Sequence, residues 1–154
     1  MATPRQVYID SCVFISYLKN EATAQQCEGL FDSAEKGNIT LVTSSLTLTE
    51  VIKVKSNIII PQADQEKLKK FFLNKYILIA NFERKIAENA RDLIWQYSHL
   101  NPKDAGHLAT ALHLNVPTLY SFDEHFLKLN GKIPNMEIKT PDIPSQTRLD
   151  FAKA

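Results

Sequence analysis

The sequence has little cysteine and little excess charge. Its 154 residues include two cysteines, Cys12 and Cys27, too few for a disulfide framework and without metal-ligand spacing; Cys27 falls at a helical core position, and a reducing cytoplasm is the simplest setting. Lys and Arg number 18 against 17 Asp and Glu, for a net charge of +1. The chain as a whole therefore lacks the positive field of a non-specific nucleic-acid binder, and only local basic patches remain open. No stretch approaches the ~18 consecutive apolar residues of a membrane span, and the Val7-Tyr8-Ile9 run is too short for a signal-peptide core. Dinucleotide, ATP and serine-hydrolase readings are weakened by the lack of G-x-G-x-x-G, Walker and G-x-S-x-G motifs. The four histidines, His99, His107, His113 and His125, form neither H-E-x-x-H nor an i, i+4 pair, which argues against a zinc site.

What is present is an ordinary globular composition, 44% apolar and 23% charged, at a length suited to one domain of about 100–200 residues. Short β-branched runs alternate with segments of helical period, the pattern of βαβ units around a mainly parallel sheet. We read strands at 6–10, 39–43, 76–80, 118–121 and 136–139. Helices are expected at 11–19, around Cys27, Leu30, Phe31 and Ala34, from Ser44 or Ser45 through Glu50 to Lys55, at 62–74, from Phe82 to Tyr97, from Asn101 to about 115, and at 122–129. This makes a single three-layer α/β/α domain over residues 1–140, with 141–154 a poorly ordered tail rich in breakers.

In an open parallel sheet, ligands bind outside the carboxyl ends of the strands, where strand order reverses. Three acids fall at such places: Asp10 closes the first strand, Asp123 follows the fourth, and Asp104 opens the helix that leads into it. A fourth, Glu50, follows strand two and has apolar neighbours Leu48, Val51 and Ile52, which suggests partial burial. Each has an ordinary explanation alone. Asp10 and Asp123 could be N-caps, Asn101-Pro102-Lys103-Asp104 resembles a capping box, and Glu50 with Lys53 could be a solvated i, i+3 pair. Together they would repel, two unit charges ~4 Å apart costing on the order of 4 kcal/mol at an effective dielectric near 20. Such a group calls for a cation or for raised pKa values, and Mg²⁺ or Mn²⁺ suits an all-oxygen site used in phosphate chemistry.

The stretches 7–11 (VYIDS), 43–51 (TSSLTLTEV), 104–111 (DAGHLATA) and 119–126 (LYSFDEHF), in this order and spacing, resemble the four acidic motifs of the PIN-domain family, and within it the VapC-type toxins of bacterial toxin–antitoxin pairs. The resemblance implies a PIN-like fold and a Mg²⁺- or Mn²⁺-dependent endoribonuclease. Asp10, Asp104 and Asp123 would be metal ligands, Glu50 a further ligand or the orienter of the attacking water, and Ser11 and Ser121 would support the carboxylates. Cleavage would leave a 5′-phosphate and a 3′-hydroxyl, the metal activating water and stabilising the leaving oxygen. The chain departs from many members in having Cys12, a weak hydrogen-bonding group, where Asn or Ser is common.

Partners follow from the same reading: an RNA substrate, a cognate antitoxin whose tail lays apolar residues in a groove and a basic side chain toward the acids, and a second copy in a homodimer. Basic residues between 51 and 75, Lys53 among them, and His107 one turn after Asp104, are candidates for holding the RNA. Phe71-Phe72 and the Trp95 to Tyr97 segment are expected in the core or at an interface. Alternatives are an RNA-processing PIN nuclease and a catalytically weak PIN-like binding module. A Mg²⁺-dependent phosphatase is disfavoured, because Cys12 stands where such enzymes resembling haloacid dehalogenases have a second Asp.

Overall fold

Five short apolar runs become the strands in a computed structural model that describes residues 3–52 and 60–144. β1 (Arg5–Ile9), β2 (Ile39–Ser44), β3 (Ile77–Ala80), β4 (Thr118–Tyr120) and β5 (Glu137–Lys139) form one sheet in the order β3-β2-β1-β4-β5, each neighbouring pair parallel. Parallel neighbours need crossovers. Helices supply most of them: α1 (Ser11–Leu18), α2 (Ala24–Glu35), α3 (Thr47–Glu50), α4 (Gln62–Phe71), α5 (Arg84–Gln96), α6 (Pro102–His113) and α7 (Glu124–Leu127).

Strand side chains alternate between the two faces, and each face builds its own core. Val7 and Ile9 pack with Val13 and Phe14 of α1, Leu30 and Phe31 of α2, and Leu68 of α4. Tyr8, Val42 and Leu119 point the other way, to Ile86 and Ala90 of α5, Leu108 of α6 and Phe126 of α7. The result is the expected three-layer α/β/α architecture. Cys27 is buried in the first core, and both cysteines are free thiols.

The structure corrects several local expectations. The helix after strand two is one turn, Thr47–Glu50, not a run to Lys55; Val51 leaves the helix at φ −95°, ψ 84° and is buried with Leu68 and Phe72. Lys53 and Lys55 lie outside the described residues. α5 starts at Arg84, after the extended Glu83 (φ −103°, ψ 173°), with the Phe82 backbone N–H donating to Ser45 Oγ, and α7 starts at Glu124 because Asp123 caps it. Phe72 is buried, and the Phe71 and Phe72 rings lie within 5.3–6.1 Å of Phe14, with Phe71 at 6.1 Å from Phe31. This pair therefore anchors α4 in the core. Among the described residues Trp95 is the one exposed aromatic, 73% accessible, with the Arg91 guanidinium 5.1 Å above its ring.

Residues 141–144, assigned to the tail from the sequence, are docked. Pro141 is buried and Ile143 joins the first core. Gly29 makes this possible: a Cβ there would lie 1.9 Å from the Ile143 carbonyl oxygen, so only glycine lets the segment close on α2.

Candidate active site

The chain moves outward from β1 to β2 and β3, then returns to β4 on the other side of β1. This reversal opens a crevice at the carboxyl ends of β1 and β4. Asp10 directly follows β1 and caps α1, its Oδ1 accepting from Ser11 N at 2.7 Å. Its Oδ2 accepts from Ser121 Oγ at 2.9 Å and from the Cys12 thiol at 3.1 Å. Burial, then the Asp10 charge, push the Cys12 thiol up to about 12. It therefore keeps its proton and donates, as Ser in its place would. Ser121 Oγ also accepts from Asp123 N at 2.9 Å, and Asp123 caps α7 through His125 N at 2.9 Å. One hydroxyl thus ties the first acid to the loop that carries the last.

Glu50 ends α3 and its side chain is 14% exposed. Oε2 accepts from Ser11 Oγ at 2.7 Å and from Lys103 Nζ at 3.1 Å, and Oε1 stands 2.8 Å from His107 Nε2. Burial alone would raise its pKa, but the hydrogen bonds from His107 and Ser11, with the nearby positive groups, outweigh it and hold the carboxyl at about 2. Glu50 is a fixed anion.

Asp104 behaves in the opposite way. Asn101, not Asp104, caps α6, its Oδ1 accepting from Asp104 N at 2.8 Å, with Pro102 at the first helical position. The Asp104 carboxylate is buried and its Oδ2 has no hydrogen-bond partner. Burial first, then the charges of Asp123 and Asp10, push it up to about 6, against weaker help from Lys103 and His107.

The four acids and both serines are therefore brought to one end of the sheet, Glu50 through Ser11 and Asp123 through Ser121. His107 is placed differently from its expected role in holding the RNA. It is completely buried beneath Glu50, with Nδ1 2.7 Å from the Tyr8 hydroxyl, so it cannot touch a substrate backbone. The sequence reading missed Lys103 and Tyr8 as members of the site. Lys103 and His107 are four residues apart on α6 and so share a face; that spacing was the available signal.

As placed, no three His, Cys, Asp or Glu side chains among the described residues are grouped closely enough to ligate one ion. The chemistry of the donor set nevertheless fits a hard divalent cation. Lys103 pairs with Glu50 and His107 hydrogen-bonds to it, whereas among the described residues no Lys or Arg pairs with Asp10, Asp104 or Asp123. The unpartnered Asp104 oxygen sits where these negative charges repel, and oxygen donors with uncompensated charge are what Mg²⁺ or Mn²⁺ prefers.

The chain belongs to the PIN-domain family, whose model matches residues 7–132. The fold is similar to that of a toxin–antitoxin complex from Klebsiella pneumoniae (TM-score 0.61, 24% identity, 88% of this chain and 97% of that one). It is also similar to VapBC2 from Rickettsia felis bound to a promoter DNA fragment (0.62, 20%, 89% and 99%). A third match is VapC20 from Mycobacterium tuberculosis, described as a toxin that cleaves the sarcin–ricin loop (0.59, 15%, 76% and 89%). Comparison with curated proteins gives no match. Among the described residues, no helix is long and apolar enough to cross a membrane.

Proposed function

We propose that the protein is a divalent-metal-dependent endoribonuclease, acting in the cytoplasm as the toxin of a toxin–antitoxin pair. The observation that carries this reading is the unpartnered, buried Asp104 oxygen beside Asp10 and Asp123 at the reversal point of a PIN-type sheet. Asp10, Asp104 and Asp123 would hold Mg²⁺ or Mn²⁺, which supplies Lewis-acid stabilisation of charge on phosphate oxygens and a more acidic water.

The chain's own groups do the rest. Ser121 and the Cys12 thiol hold the Asp10 carboxylate in one orientation, and Ser11 fixes the separation of Asp10 from Glu50. Glu50, kept ionised, is the group available to orient the attacking water. Lys103 is about half exposed and stands at the edge of the carboxylates, where its ammonium can meet a phosphate. Pairing with Glu50 raises its pKa against the opposing effect of burial, so it is charged at neutral pH. Lys53 remains a candidate for the same task. A near-neutral chain lacks a broad basic face for duplex DNA, and single-stranded loops give a compact site its best access to bases and phosphates.

An antitoxin has a suitable seat. An apolar groove of about 410 Å³ between α3, α4 and β3 is lined by Leu48, Val51, Phe72, Leu73 and Ile79, with Leu48 and Leu73 exposed to solvent. A partner segment lying there passes close to Glu50 at the end of α3, and a basic side chain from it could reach the acids.

The test is incubation of the purified protein with structured RNAs and duplex DNA, with Mn²⁺ or EDTA, beside Asp10→Asn and Asp123→Asn. Internal RNA cuts that vanish in EDTA and fall by orders of magnitude in both variants are expected. Cleavage that survives EDTA and both substitutions, or cleavage of DNA alone, would sink the assignment. Full activity with no growth arrest on expression and no inhibitory partner encoded next to it would move the protein to RNA processing. Inactivity with intact Mn²⁺ binding would make it a binding module. Light scattering at micromolar concentration should give the mass of a dimer, with exposed Trp95 at the contact, so that Trp95→Lys yields monomer; a wild-type monomer throughout refutes the pairing.

A further inference from the structure

His107 has no exposed surface, so both ring nitrogens must find partners inside the protein. They do: Nε2 lies 2.8 Å from Glu50 Oε1 and Nδ1 lies 2.7 Å from the Tyr8 hydroxyl. An ionised carboxylate can only accept, so the hydrogen on that side belongs to Nε2. In a neutral imidazole Nδ1 is then bare and needs a donor. Tyr8 supplies it: its hydroxyl lies 2.7 Å from Nδ1, and a phenol is a donor at neutral pH. Donation therefore runs in one direction, Tyr8 to His107 to Glu50.

The two ends of this chain differ in rigidity. Tyr8 is paired to Val42 of β2 on one side and to Leu119 of β4 on the other, in the middle of the sheet. Glu50 ends a four-residue helix whose next residue is already non-helical. A glutamate there has a broad terminal torsion and little backbone support. Its two oxygens offer about four lone-pair positions. Ser11 and Lys103 take two on Oε2, and His107 takes one on Oε1. The position left on Oε1 is aimed by the imidazole alone.

We propose that His107 is a positioning residue for cleavage: clamped by Tyr8, it transmits the fixed geometry of the sheet centre to Glu50 and directs the carboxylate's one free position into the site. This role rests on the nuclease reading above. It separates His107 from a residue that merely fills space, because the direction of one N–H bond is what matters.

The variants are His107→Leu, His107→Gln, Tyr8→Phe and the double variant Tyr8→Phe/His107→Leu. His107→Leu takes the Tyr8 hydroxyl's imidazole acceptor away, leaving it only the Thr43 and Thr110 side chains, and can lose stability for that reason alone. The double variant removes both polar partners together, which is far better tolerated. Glutamine places an amide N–H near the former Nε2 position. Steady-state cleavage of single-stranded RNA with Mn²⁺ should show kcat down by about 10–100-fold in the double variant, the usual cost of losing an orienting partner. KM should stay within about threefold and kcat should recover largely in His107→Gln. Independently of activity, imidazole ¹⁵N–¹H spectra of the metal-free protein should show His107 protonated at Nε2 only, and Tyr8→Phe should keep this tautomer while shifting the Nδ1 resonance through loss of the phenol donor. A wild-type ring protonated at Nδ1, or a double variant with unchanged kcat, would overturn the proposal. A wild type that cuts no RNA but shows the Nε2 tautomer would overturn the nuclease reading, and the role in cleavage with it, through the activity assay alone.

Discussion

In EDTA near pH 7.5, Asp104→Asn should unfold at higher urea concentration than the wild type, while with Mn²⁺ its RNA cleavage should be lower than the wild type's by orders of magnitude. The sign follows from the carboxyl's surroundings. Burial, then Asp123 and Asp10, push Asp104 from the ordinary 3.8 to about 6. The folded state binds this proton more tightly than the unfolded state, so wild-type stability declines as pH rises from about 4 through about 6 and stays lower above. The gap between those two values, at 1.36 kcal/mol per pH decade, is on the order of 3 kcal/mol. An amide at this position carries no charge and escapes the penalty, although its own buried polar atoms return part of the gain. The expected advantage is therefore roughly 1–3 kcal/mol near neutrality, shrinking to almost nothing near pH 4, where the wild-type group is protonated.

Manganese should reverse the comparison. Ligand binding to the native state alone stabilises by mass action, about 2.7 kcal/mol at a hundredfold excess over Kd. The wild type should gain this stability and Asp104→Asn should not, having lost a carboxylate that would hold the ion. Urea unfolding at the two pH values, with and without Mn²⁺, separates these effects. A variant less stable than the wild type near pH 7.5, by the same margin as near pH 4, would show that Asp104 is a structural acid after all.

Much of this site is legible in the sequence because its members sit at punctuation marks. Asp10 ends an apolar run and begins a helix, Asp123 does the same after β4, and Asn101-Pro102 announces the start of α6. Short β-branched runs and helical stripes place these marks at one end of a parallel sheet before any coordinates are known. The family resemblance adds the roles but not the surroundings. The contacts on Glu50 are a different matter: Lys103 and His107 are 53 and 57 positions away, and Tyr8 reaches it only through His107. Convergence of that kind depends on the register of β1 against β2 and on how α6 packs across them, which no local pattern encodes. The overlong reading of α3 has a similar cause. Leu48, Val51 and Ile52 continue a helical spacing, but burial of Val51 against Leu68 and Phe72 takes the chain out of the helix at Glu50. Tertiary packing overrides propensity there, and the result leaves the glutamate at a helix end, dependent on its partners for orientation.

Glu50→Gln should therefore carry the opposite stability sign to Asp104→Asn. Three donors converge on the wild-type carboxylate, and their hydrogen bonds overcome its burial and hold it at about 2, below the ordinary 4.5. A depressed acid stabilises the fold above its unfolded pKa, and that contribution is lost as pH falls from about 4.5 toward 2. Glutamine keeps one carbonyl for His107 or for Ser11, but its NH₂ must face another donor, and Lys103 loses its counter-charge. Because the carboxylate is largely buried, the loss near pH 7.5 should be about 1–3 kcal/mol, within the range for removing the acceptor of charged hydrogen bonds. It should narrow as the pH is lowered below about 4 and the wild-type acid begins to protonate. Cleavage should fall with it, by orders of magnitude if Glu50 orients the attacking water. Two substitutions of equal chemical size at one site would then move stability in opposite directions while both abolish activity. Equal stability of Glu50→Gln and wild type at both pH values would mean that the hydrogen bonds converging on Glu50 contribute nothing in solution, and would remove the basis for treating it as a fixed anion.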